Sequence, residues 1–334
     1  MVNPLERKVL GSTGLEVTRL GLGCAALGGL YGDIPDEQAH AVVHRALDLG
    51  LNLLDTAPLY GSGKSEIRVG QALKGIARDR FILCTKVGRV LDPVTDDDED
   101  RGQEIFDQPR PFKPVFDYSY DGVMRSFDES LQRLQMDRVD ILHIHDPDDH
   151  YQQAMEGAYP AIAKLREQGV IAGVSAGMNQ WEMLADFGRA GDFDCFLLAG
   201  RYSLLEQDAL HDLFPLCEEK NIGILAGGTY NSGILAKGAT PGAKYNYGDA
   251  PVEIIERARR LEQVSERHGV NIKAAASQFA LAHPVVTSII PGTRQPDRVT
   301  ENFNLLNESI SSDYWAELRH EKLIHPDAPV PEGD

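Results

Sequence analysis

Two kinds of segment alternate along the chain: short runs of consecutive apolar residues, and longer stretches where apolar residues return every three or four positions. An unbroken apolar run of strand length is the pattern of a parallel strand covered on both faces, and the three-to-four repeat is that of an amphipathic helix. The runs fall at Thr18 to Cys24, Asn52 to Asp55, Arg80 to Lys86, Val139 to His145, Gly169 to Ser175, Phe193 to Leu198, Ile222 to Ala226 and Val286 to Ile290. Helices are predicted between them, the first with Asp36 as its N-cap and Ala39, Val42, Val43, Ala46, Leu47 and Leu49 following at helical spacing.

Eight buried-type strands separated by helices, with no linker between them, predict an α/β fold of the (β/α)8 TIM barrel kind, formed by residues 1–334 as one domain. Lys8 to Val17, turning at Ser12-Thr13-Gly14, predicts a β-hairpin ahead of the barrel, and Pro296 to Leu306 and Ser312 to Leu323 predict extra helices at the C-terminal end. A doubly wound sheet is the competing topology. It wants a Gly-x-Gly-x-x-Gly turn, and Gly21-Leu22-Gly23-Cys24-Ala25-Ala26 has its glycines inside the strand and alanine at the third position.

Two loops are long, 89–120 and 226–249, and the first holds the run Asp96-Asp97-Asp98-Glu99-Asp100. Like charges so dense repel one another, which predicts a solvated flap.

Composition narrows the function. A net charge of -18 disfavours nucleic acid and anionic lipid as partners. No apolar run approaches membrane-spanning length and Met1 to Lys8 is polar, so a cytoplasmic enzyme acting on a small molecule is expected. Cys24, Cys84, Cys195 and Cys217 are scattered within apolar runs, which reads as buried free thiols and not as a metal site. Oligomeric state is not legible in the sequence.

In a barrel the C-terminal ends of the strands converge on one mouth. Asp55, Tyr60, Lys86 and His145 all fall at or just after strand ends. A phenol is a poor acid or base at neutral pH, an adjacent ammonium favours its ionised form, and a carboxylate keeps that ammonium charged. An imidazole can hydrogen-bond the substrate oxygen from the other side, so the set suits proton transfer at an oxygen whose carbon exchanges a hydride.

Asn52-Leu-Leu-Asp55-Thr-Ala-Pro-Leu-Tyr60-Gly, with Thr85-Lys86 and Asp140-Ile-Leu-His-Ile-His145, resembles the aldo-keto reductase superfamily, from the hairpin to Asn302. The resemblance implies a catalytic tetrad of Asp55, Tyr60, Lys86 and His145, and hydride exchange between a nicotinamide cofactor and a carbonyl or alcohol. It further implies cofactor contacts from Ile290-Pro291-Gly292-Thr293-Arg294 through Arg298 to Asn302, from Ser175, from Gly227 and Gly228, and from Cys24 and Asp55. Gly292 stands where NADP-binding relatives commonly carry lysine, which favours NAD; Arg294 and Arg298 leave NADP open. Only Ser175 remains of a usual Ser-Asn pair, with Asn179 a substitute, and Tyr202 is a candidate for the missing aromatic that stacks on the nicotinamide.

Phe116 to Ser126, His145-Asp146-Pro147-Asp148-Asp149 and Gly228 to Gly233 resemble the branch holding aldose 1-dehydrogenases and pyridoxal 4-dehydrogenase. That likeness implies oxidation of a cyclic hemiacetal to a lactone, with Tyr60 and His145 at the substrate and Asp146 either binding its hydroxyls or serving an Asp-Pro turn. Three other readings stand beside it: an NADPH-dependent aldehyde reductase, an aldolase using Lys86 as a Schiff-base nucleophile, and a nicotinamide-binding regulatory subunit.

Overall fold

The apolar runs pair side by side in chain order. In the computed structural model, which describes residues 2–95 and 105–332, eight parallel strands form one sheet. They are β3 (Leu22–Gly23), β4 (Leu53–Asp55), β5 (Ile82–Val87), β8 (Ile141–His145), β9 (Gly173–Met178), β10 (Cys195–Ala199), β11 (Gly223–Gly227) and β14 (Val286–Ile289). Parallel bridges from Leu20 to Ile289 and from Gly23 to Gly292 join the last strand to the first, so the sheet curls into the predicted barrel. The remaining strands make three antiparallel hairpins: β1 (Arg7–Val9) with β2 (Glu16–Thr18), β6 (Arg89–Pro93) with β7 (Phe112–Phe116), and β12 (Lys244–Tyr245) with β13 (Gly248–Asp249).

Alternation within each strand sorts side chains between two cores. Leu53, Ile82, Cys84, Ile141, Cys195, Leu197, Leu225 and Ile290 fill the barrel interior together with Leu10 and Val17 from the first hairpin. The intervening residues, such as Leu54, Leu83, Leu142 and Leu198, meet the surrounding helices. Leu10 and Val17 are fully buried, each contributing about 1.5–3 kcal/mol by leaving water, and so the hairpin plugs the barrel floor. Gly11 is required there: a Cβ would lie 1.9 Å from the Asp194 carbonyl oxygen.

Residues two apart on a strand share a face. Lys86 therefore points inward with Cys84, and His143 and His145 point inward with Ile141. Strand pairing sets Lys86 beside His143 and His143 beside Ser175. The polar layer at the barrel mouth is thus fixed by register, not by loops.

Several boundaries differ from expectation. The run at 18–24 is divided, Thr18 ending the hairpin and Leu22–Gly23 joining the barrel. The fifth barrel strand begins at Gly173 and continues through Ala176-Gly177-Met178, whose small residues carry no strand signal of their own. Asp36 sits in the first turn of the helix Asp36–Asp48, its carboxylate 2.8 Å from Arg68 Nε. The long loop 89–120 contains the hairpin β6–β7, and the acidic run expected to form its flap lies outside the described residues. Among the described residues no helix is long and apolar enough to cross a membrane.

Candidate active site

Strand β4 ends at Asp55 and β5 carries Lys86 one step further up the barrel. Lys86 Nζ lies 2.7 and 2.6 Å from the two carboxylate oxygens of Asp55 and 2.9 Å from the Thr56 carbonyl oxygen. Those three acceptors take all three protons of an ammonium. A Schiff-base nucleophile needs a free amine, so this geometry removes the basis for the aldolase reading. Burial raises the Asp55 carboxyl, but Lys86 and His143 beside it outweigh that and hold it below the usual carboxylate range.

Tyr60 reaches the same place from the loop after β4, with Lys86 Nζ 5.1 Å from its ring centroid and the His145 ring edge-on at 5.9 Å. The phenol is pushed well above its ordinary value, first by burial and then by the charge of Asp55. The expectation that Lys86 lowers it is not met in the free site, because Asp55 neutralises that ammonium at contact distance. Tyr60 is therefore held as a neutral phenol.

His145 is likewise held neutral, well below its usual range, by burial and then by Arg89, Lys86 and His143. The Tyr118 hydroxyl donates to the carbonyls of His145 (2.6 Å) and Asp146 (2.9 Å), fixing the strand end. Asp146 has a left-handed backbone (φ 42°) and lies 3.0 Å from an Arg89 guanidinium nitrogen and 3.4 Å from His145 Nε2. Burial lifts its carboxyl to about 6 despite the pull of Arg89. Arg89 is delivered by β6, within the loop that sequence left without structure.

A groove of about 560 Å³ runs from Tyr60 and Asp55 across the barrel mouth to the last helices. That volume is in the ordinary range for a ligand site. Cys24, Gly227, Gly228, Pro291, Gly292, Thr293, Arg294, Arg298 and Asn302, all expected at the cofactor, line it. Asn179, the substitute for the missing asparagine, lines it too.

Two expected contacts are elsewhere. Tyr202 is 1% exposed, its ring packed against Phe214 (4.6 Å) and Phe279 (5.4 Å), so it serves the core and not a nicotinamide. Ser175 is fully buried off the groove, its hydroxyl 2.7 Å from His143 Nδ1.

The residues fit a nicotinamide dinucleotide. Thr229 Oγ1 and Asn231 Oδ1 are buried in the groove wall without a hydrogen-bond partner, which is costly unless a ligand satisfies them. At the far end Glu301 bonds both Lys273 and Arg298, and the Tyr230 hydroxyl donates to Asn302 Oδ1 at 3.1 Å. Sequence reasoning missed Thr229, Asn231, Lys273 and Tyr247. Tyr247 lines the groove from the tip of the β12–β13 hairpin, in a left-handed conformation (φ 67°), its backbone N–H donating to the Ser232 hydroxyl at 3.1 Å. His143 was also missed, although its place two residues before His145 already put both on one face.

The fold and site have clear counterparts. The aldo/keto reductase family model matches residues 19–321. The chain is 39% identical to pyridoxal 4-dehydrogenase of Microbacterium luteolum, covering 96% of this chain and 98% of that protein. It is 36% identical to D-threo-aldose 1-dehydrogenase of a Pseudomonas species, covering 94% and 96%. Among solved structures, an aldo-keto reductase of Bacillus halodurans in its holo form superposes with a TM-score of 0.75 at 26% identity, over 98% of both chains. With a closed parallel barrel, a buried Asp55–Lys86 pair behind Tyr60 and a family match spanning nearly all of its length, this chain is a nicotinamide-dependent oxidoreductase acting on CH–OH groups and belongs to the aldo/keto reductase family.

Proposed function

We propose that the enzyme oxidises the cyclic hemiacetal of an aldose, or of pyridoxal, to its lactone with NAD. The observation that carries this reading is the full-length likeness to a pyridoxal 4-dehydrogenase and a D-threo-aldose 1-dehydrogenase. Support comes from Asp146 and Arg89, which set a charged hydrogen-bonding pair beside His145 where a polyhydroxylated ring would lie.

In this reading the hemiacetal hydroxyl sits between Tyr60 and His145. When bound, the nicotinamide supplies the position that accepts hydride from the hemiacetal carbon. Tyr60, as phenolate, takes the hydroxyl proton as the carbon becomes a carbonyl. Neutral His145 donates a hydrogen bond to the same oxygen, and Lys86, anchored by Asp55, steadies the charge on Tyr60. Oxidation therefore speeds up as pH rises and Tyr60 ionises. In the reverse direction the phenol returns the proton, which is how the same residues would run an NADPH-linked aldehyde reduction.

The cofactor end supports NAD. A 2′-phosphate needs free cations. Glu301 engages both Lys273 and Arg298, a guanidinium nitrogen of Arg294 lies 3.3 Å from the Tyr31 carbonyl, and Gly292 supplies no charge. The test is NADH formation from NAD with L-fucose, L-galactose, D-arabinose and pyridoxal, beside titrations of NAD and NADP. Silence across the panel, or markedly tighter NADP binding, would turn the assignment toward the aldehyde reductase.

A further inference from the structure

His143 takes no part in the tetrad, yet it is fully buried among it. Its Nε2 lies 3.3 Å from Asp55 Oδ1 and its Nδ1 2.7 Å from the Ser175 hydroxyl. It is the neighbour of Lys86 across β5–β8 and of Ser175 across β8–β9. An imidazole in the middle of a barrel normally dry and apolar is expensive to bury, so its two polar neighbours need an explanation.

Two tautomers are open to the ring, because the Ser175 hydroxyl, which also lies 3.3 Å from the Ala176 carbonyl oxygen, can donate to Nδ1 or accept from it. Nε2 meets Asp55 Oδ1 at 3.3 Å without full hydrogen-bond geometry. A bare Nε2 lone pair facing a carboxylate repels it, which favours the proton on Nε2. A Ser175 hydroxyl donating to Nδ1 leaves the single imidazole proton on Nε2, which then points at the Asp55 carboxylate. Burial keeps this ring below its usual range against the pull of Asp55, so it approaches the carboxylate as a neutral donor and does not compete with Lys86 for charge. Cys84 Sγ completes a compact group with Asp55 and His143, but both Asp55 oxygens already hold Lys86 and burial pushes that thiol up, so the group offers a metal neither a free carboxylate nor a thiolate.

We propose that His143 is a positioning residue of the active site: bridged to Ser175, it donates to Asp55 and draws off part of the carboxylate charge, so that more of the Lys86 charge reaches Tyr60. The inference rests on the proton role of Tyr60 common to either direction of the reaction, not on which substrate is used. The groups that bear on Tyr60 are Asp55 from β4, Lys86 from β5, His145 at the end of β8 and Asp146 just after it, Cys24 after β3 and Tyr247 from the hairpin tip. Of these, Asp55 is the one His143 touches. Without the donor, Asp55 opposes Tyr60 ionisation more strongly.

The test is the pH dependence of kcat/KM for His143→Leu and His143→Gln. His143→Leu should move the Tyr60 limb up by about one pH unit and lower oxidation at neutral pH about tenfold, leaving the KM for NAD unchanged. His143→Gln, whose amide reaches toward the same oxygen, should restore the wild-type limb. A limb unmoved in His143→Leu would overturn the proposal. If that variant fails to fold, Ser175→Ala, which frees the ring to change tautomer, should move the limb in the same direction, and no movement there counts equally against it. Independently of any substrate, NMR of nitrogen-labelled histidine should show the His143 proton on Nε2 and a shift of that signal in Asp55→Asn. A proton on Nδ1, or a signal indifferent to Asp55, contradicts the bridge even if the hemiacetal reading holds.

Discussion

Lys86 Nζ sits 2.6 Å from one Asp55 oxygen and 2.7 Å from the other, with both side chains almost wholly excluded from water. Removing one member of such a pair leaves a buried charge uncompensated. Lys86→Met should cost about 3–5 kcal/mol, read by urea unfolding, and abolish turnover. The double variant Asp55→Leu with Lys86→Met should recover much of the stability and none of the activity, which separates the structural part of the pair from its chemical part.

Tyr60→Phe removes the proton acceptor and nothing that packs. Turnover should fall by about 10²–10⁴, the range general acid–base catalysis contributes, while NAD binding measured by fluorescence quenching is retained. Residual activity near wild type would move the proton role to another group facing the groove.

Glu301 pairs with both Lys273 and Arg298 at the far end of the groove, and in the proposed reading this keeps the two cations from a 2′-phosphate. Glu301→Gln should tighten NADP about tenfold relative to NAD, about 1.4 kcal/mol. Titration of both dinucleotides reads this directly, and an unchanged ratio would mean the carboxylate does not set the preference.

Burial outweighs the pull of Arg89 and lifts the Asp146 carboxyl to about 6. Its carboxyl is raised above the unfolded value, so the ionised acceptor is present above about 6 and lost as pH falls through it. The KM for a hydroxylated substrate should therefore climb as pH drops below that point in the wild type. In Asp146→Asn it should be high and flat with pH, with cofactor affinity unaltered.

The barrel was legible because buried parallel strands write unbroken apolar runs, and the convergence of Asp55, Lys86 and His145 because each stands at the end of such a run. Register then did the rest: a residue known to end a strand is known to face the mouth. What escaped was of a different kind. Arg89 and Tyr247 reach the site on hairpins inside loops, where no periodicity marks them. Tyr202 was misplaced because an amphipathic ring reads alike at a groove and in a core, and only its neighbours Phe214 and Phe279 decide. Ser175 kept its expected strand, but its hydroxyl bonds His143, a partner invisible without the pairing of β8 and β9. Lys86 was expected to lower the Tyr60 phenol; its contact with both oxygens of Asp55, which cancels that field in the free site, is a matter of tenths of an ångström that sequence does not carry.

The most direct measurement is the stoichiometry of lactone and NADH formed from NAD and a cyclic hemiacetal, with wild-type enzyme and Tyr60→Phe side by side. Equal amounts of both products from at least one aldose or from pyridoxal, with neither from the variant, is the expected result. NADH absent with every hemiacetal, while NADPH is consumed with simple aldehydes, would contradict it and leave the same tetrad working as a reductase.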